Sequence, residues 1–122
     1  MSGEFRAIIR VGLGKAVYRD GLVETAYGVL EAKSVGVEQV LSIVAACFSR
    51  SIAEKLGVRE VEVELELLED LDALLDGDLE AAGILRVRVR AEGAPRESIE
   101  GALAGCPFYI LLRAKIKSLE VL

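Results

Sequence analysis

The sequence predicts an α+β fold, and three features carry that expectation. Residues 37–56 repeat apolar side chains at helical spacing, while residues 58–68 and 84–91 alternate apolar and charged residues at strand spacing. The order of segments is three strands, a helix, two strands, helices and a closing strand, with no internal repeat and no low-complexity linker. That order gives an N-terminal three-stranded antiparallel meander, a central cysteine-bearing helix, further antiparallel strands and C-terminal helices.

The elements follow from local chemistry. Residues 4–11, EFRAIIRV, have the β-branched and aromatic content of a strand, ended by GLGK. Residues 15–19 and 22–32 read as two further strands about the turn signal Asp20-Gly21. Gly12-Leu13-Gly14-Lys15 lacks the glycine spacing and the following Ser or Thr of a phosphate loop, so it reads as a strand turn. In 37–56, Val37, Val40, Leu41, Val44, Phe48, Ile52 and Leu56 form the apolar stripe, and Gly57 is a natural C-terminal cap. Cys47 falls beside this stripe, and Arg50 is close enough to share a face with it.

In 58–68, Val61, Val63, Leu65 and Leu67 face one side, and Glu60, Glu62, Glu64 and Glu66 the other; in 84–91, Arg86, Arg88 and Arg90 face outward. Rows of opposite charge at period two predict antiparallel neighbours with cross-strand ion pairs on a solvated face. The acidic EDLDALLDGDLEAAG between them lacks calcium-loop spacing and reads as an exposed connector with a helical turn. Pro95 opens a helix containing Ile99, Leu103 and Cys106, and Pro107 starts a kink or a fresh helix. FYILLRAKI continues helically, and SLEVL closes as a strand.

Composition narrows the chemistry. At 122 residues the chain suits a single domain, 1–122, and its 52% apolar content rules against disorder. A net charge of −5 argues against nucleic acid or an anionic membrane as partner. The N-terminus has no apolar signal core and the longest uncharged apolar run is 39–49, so the expectation is a soluble cytoplasmic protein. There is no His, Trp or Asn, and the one Gln is Gln39; with many Glu and Arg this resembles a thermophile's composition. Without His, neither a Ser-His-Asp or Cys-His site nor a His-ligated zinc or haem can be built. Two isolated cysteines do not make a metal site, so neither cofactor nor metal is expected. Cys47 and Cys106 then have three readings: small core residues, a structural disulfide of the kind thermophiles allow, or one redox pair.

The helix VEQVLSIVAACFSRSIAEKLGV, the alternating strands and the later GCP resemble the OsmC/Ohr family of osmotically inducible and organic hydroperoxide resistance proteins. The resemblance covers the whole chain in element order, and its specific part is AACF at 45–48 and CP at 106–107. It implies an intertwined α+β homodimer with sites at the subunit interface and an antioxidant, thiol-dependent peroxidase activity on organic hydroperoxides. It implies Cys47 as the peroxidatic thiol, Cys106 as the resolving thiol that closes a disulfide, and a thiol reductant such as a dithiol small molecule or protein. An Arg activates the thiol in active members; RDG at 19–21 nominates Arg19, with Arg50 and Arg10 as alternatives. A Glu orients that Arg; its family position is Val37 here, and the adjacent Glu38 is the candidate. Phe48, Phe108 and Tyr109 are candidates for an apolar wall against the organic part of the peroxide. The other function compatible with the resemblance is a non-catalytic dimer that binds an apolar ligand or partner at its interface.

Overall fold

The computed structural model describes residues 6–122, which fall into two units, one ending at Val35 and one spanning Gly36–Leu122. In the first, Asp20 (φ 52°) and Gly21 (φ 83°) both take the left-handed conformation, which matches the twist of a two-residue hairpin. That turn joins β1 (Ala16–Arg19) to β2 (Leu22–Thr25). Ala26 and Tyr27 turn the chain again into β3 (Gly28–Glu31), and Tyr27 N–H donates to Thr25 Oγ1 at 3.1 Å. The three strands pair antiparallel in the order β1-β2-β3.

The expected meander is therefore present, but its strands differ from those read in the sequence. Residues 6–11 of the expected strand 4–11 form no strand, and residues 4 and 5 lie outside the described residues. Ile8 and Ile9 are both 82% exposed. β-Branched residues favour a strand only where cross-strand neighbours cover them, and here they have none among the described residues. The expected strand 22–32 is instead two, broken at Ala26-Tyr27.

The second unit begins with α1 (Val37–Leu56), bounded as its periodicity predicts and capped by Gly57 at φ 67°, whose N–H donates to Ala53 O. Next come β4 (Val61–Glu69), α2 (Leu71–Leu75), α3 (Leu79–Ala82) and β5 (Gly83–Ala91). The acidic connector holds two short helices because Asp70 and Asp78 cap them, accepting from Ala73 N–H and Ala81 N–H. α4 (Arg96–Leu103) and α5 (Pro107–Leu112) follow, then a 3₁₀ turn at Arg113–Lys115 and β6 (Ile116–Val121). The helical reading of FYILLRAKI ends early, because Ile116 already belongs to the strand. The sheet order is β4-β5-β6, with β5 antiparallel to β4 and parallel to β6, so α4 and α5 form the crossover.

One core holds this unit together. Phe48 and Ile52 of α1, Val87 and Val89 of β5, and Ile99 and Leu103 of α4 are all fully buried. Burying each such side chain contributes about 1.5–3 kcal/mol. The sheet's charged rows meet as expected: Glu62, Glu64 and Glu66 stand opposite Arg90, Arg88 and Arg86. Arg86 pairs with Glu66 at 3.1 Å, and Arg88 reaches both Glu64 at 3.8 Å and Glu120 of β6 at 3.0 Å. Among the described residues no helix is long and apolar enough to cross a membrane.

Each exposed pair contributes about 0.2–1 kcal/mol, but Arg88 joins all three strands. Arg88→Glu should place like charges across both ladders and lower the melting temperature by several degrees at low salt. Raising the salt should shrink the loss. A salt-indifferent change would show that the rows contribute no net attraction.

Candidate functional site

Pro107 decides where the second thiol points. It cannot donate to a helix ladder and disfavours helical backbone in the residue before it. Cys106 accordingly is extended, at φ −89° and ψ 120°, between the end of α4 and the start of α5. Its N–H still donates to Leu103 O at 2.9 Å, and its carbonyl accepts from Ile110 N–H at 3.0 Å. The side chain is 1% exposed and belongs to the core that holds Phe48 and Leu103. Cys47 is half-buried on α1, one residue before Phe48, whose burial fixes the helix rotation. The two sulfurs lie 3.7 Å apart as free thiols in hydrogen-bonding contact.

Their electrostatics differ. Burial pushes the Cys47 thiol above the ordinary range, and the hydrogen bond and charge of Cys106 push it the same way; Arg50 pulls it down, but with the smallest effect. Burial also opposes ionisation of Cys106. There it is outweighed by the Tyr109 N–H, then the Ser51 hydroxyl, the Cys47 thiol and the Phe108 N–H, so Cys106 sits below the ordinary range. Neither N–H closes a side-chain capping bond at the start of α5; they act as aligned dipoles near the sulfur.

The other nominated residues are placed as follows. Arg19 ends β1 in the first unit, opposite Leu22, and is exposed. Glu38 precedes Cys47 by nine positions, about two and a half turns, and so occupies the opposite side of α1. It lines a groove of about 470 Å³ with Leu41, Ala45 and Val63, and is not brought to the thiols. Phe48 is wholly buried, its ring edge-on to Tyr109 with centroids 5.8 Å apart. Phe108 is half-exposed on α5.

Two neighbours went unnoticed in the sequence. Glu54 accepts from Arg50 Nε at 2.9 Å, so Arg50 is already paired. Ser51, one turn after Cys47, is among the groups that favour ionisation of Cys106. The i,i+4 spacings of Arg50 with Glu54 and of Cys47 with Ser51 were the available signals.

No family model matches the sequence, and no curated protein does. Solved structures do. The organic hydroperoxide resistance protein OhrB of Bacillus subtilis is 20% identical over 93% of this chain and 100% of that one, with a TM-score of 0.59. The organic hydroperoxide resistance protein OsmC of Legionella pneumophila is 20% identical over 94% and 97%, at 0.55. An OsmC-like protein of Mycoplasma pneumoniae is 10% identical over 94% and 96%, at 0.59. The structural neighbours are thus OsmC/Ohr proteins over nearly the full chain, and the chain shares their α+β fold.

Proposed function

We propose that this chain is a member of the OsmC/Ohr family, a single OsmC-like domain that acts as a thiol-dependent peroxidase on organic hydroperoxides. The observation that supports this best is a half-buried thiol on α1, 3.7 Å from a buried one at the junction of α4 and α5, which pack against α1. Cys47, the more accessible sulfur, attacks the terminal oxygen of the hydroperoxide as thiolate. The O–O bond breaks, the organic oxygen leaves and takes a proton to become an alcohol, and Cys47 becomes a sulfenic acid. Cys106 then attacks the Cys47 sulfur; water departs and a disulfide forms. A dithiol reductant returns the two electrons. Phe108 offers apolar surface to the organic group, backed by the Phe48–Tyr109 pair.

Reduced wild-type protein should lose both free thiols on brief exposure to stoichiometric cumene hydroperoxide. Cys47→Ser should abolish turnover. Cys106→Ser should still be oxidised once, but leave Cys47 as a sulfenic acid prone to overoxidation. Both thiols surviving in wild type would end the peroxidase reading and favour a ligand-binding role.

The nucleophile must be ionised near neutral pH, yet within the second unit the net influence on Cys47 raises its pKa. Arg50 alone is therefore not enough, being exposed and paired with Glu54. The family resemblance nominates Arg19, and we propose it as the principal activating cation. A raised thiol pKa leaves less thiolate at neutral pH, and each unit costs roughly tenfold in thiolate. Arg19→Ala should slow sulfenic acid formation at pH 7 at least tenfold and move the rate profile to higher pH. Arg50→Ala should slow it only a few-fold. The reverse ranking would transfer the role to Arg50.

The working form is a homodimer. On the two helices that flank the thiols, Val40 and Ile43 of α1 and Phe108, Ile110 and Leu111 of α5 are exposed, with Leu111 at 73%. Exposed apolar surface on elements that carry the site is suited to cover by a second copy. Sedimentation should give a dimer at micromolar concentration; a stable monomer would remove the interface site.

A further inference from the structure

We propose that the reduced thiol pair is a binding site for organic arsenicals of trivalent arsenic, with one arsenic atom bridging Cys47 Sγ and Cys106 Sγ. The site uses the same sulfurs as the peroxidase reading but goes beyond it and does not rest on it. It needs only that both thiols be free and adjacent, as they are at 3.7 Å.

Sulfur is a soft donor, and two thiols select a soft, thiophilic acceptor. Their separation then selects its geometry. On an atom bonded to both sulfurs at roughly 2.3 Å, as in a zinc–thiolate bond, a span of 3.7 Å sets an S–X–S angle of about 107°. A linear two-coordinate ion with the same bond length would need the sulfurs about 4.6 Å apart. A tetrahedral ion has a suitable angle but wants two further ligands. The chain has no His, and among the described residues no group of three or more Cys, Asp or Glu side chains is placed to hold a metal. Trivalent arsenic is pyramidal and brings its third substituent with it, so two thiols complete it.

Burial sets the approach. Cys106 is buried and Cys47 half-buried, so arsenic bonds first at Cys47 and then closes onto Cys106. In each step a sulfur–arsenic bond forms as an arsenic–hydroxyl bond breaks, and the thiol proton leaves with the hydroxide as water. Two waters are released, arsenic stays trivalent and no electrons are transferred. The closed ring carries no charge, so the burial that opposes a thiolate at Cys47 does not oppose the adduct. The third substituent is left on the open side. There Ile43, one turn before Cys47, is 72% exposed and offers apolar surface to an aryl or alkyl group. One thiol alone would hold the same arsenic weakly; here the second bond forms within one molecule, between groups already in place.

The test adds phenylarsine oxide to reduced full-length protein in excess glutathione, which strips single-thiol adducts. Intact-mass analysis should show one arsenical per chain, with both thiols lost to a thiol reagent. The competing dithiol 2,3-dimercaptopropanol should release it. Cys47→Ser and Cys106→Ser should each weaken retention roughly a hundredfold or more. Two readouts on wild type do not depend on how the variants fold. The adduct should raise the melting temperature, because the bridge closes a long loop, and protein oxidised with diamide should bind none. Stripping by glutathione, an unchanged melting temperature, or equal binding to the oxidised protein would overturn the site. A protein inert to hydroperoxides would still give the expected result, so failure of the peroxidase and failure of this site are seen separately.

Discussion

The seating of α1 against the sheet is the contact on which the rest of the second unit depends. Phe48 and Ile52 are fully buried against Val87 and Val89 of β5 and Ile99 and Leu103 of α4. An α-helix advances 100° per residue, so fixing Phe48 fixes its neighbours. Cys47 is held at the margin of the core, half in and half out. Truncating Phe48 would cost about 3–5 kcal/mol and would also release the rotation that aims the thiol.

The second thiol depends on a different constraint, the backbone restriction imposed by Pro107. It ends one helical segment and begins another, and the residue between them must be extended. That residue is Cys106. The crossover from β5 to β6 brings it back over the sheet, where α4 and α5 meet α1. Two sulfurs remote in sequence thus meet through a helix rotation and a proline. Their surroundings differ: Cys106 lies inside the core and Cys47 at its margin.

Much of this could be read from the sequence, and the exceptions have physical causes. The bounds of α1 follow from a single apolar stripe that ends at a glycine. The Glu and Arg rows found each other because period-two charge leaves few alternative registers. The restart of the helix at Pro107 is a local rule. Residues 6–11 were misread because β-branched composition favours a strand only when a partner strand exists, and composition does not reveal partners. The placement of Glu38 follows from where α1 starts, which nearby residues do not settle: Gly36 offers no side-chain cap. Ser51 and Glu54 carried only generic helical spacing. Glu54 matters through its bond to Arg50, and Ser51 only once the crossover delivers Cys106 to α1.

The 59 positions separating Cys47 from Cys106 have a consequence beyond chemistry. A bond between the sulfurs would close a loop that contains the second half of α1, β4, α2, α3, β5 and α4. Closing a loop of that size removes conformational freedom from the unfolded chain, an effect on the order of 4 kcal/mol in the chain-entropy picture. The bridged chain would then be the harder one to unfold, and the dithiol chain the easier. Opening and closing that bond would carry the domain between a tethered and an untethered state, so its resistance to heat and proteases would track how recently it had met an oxidant.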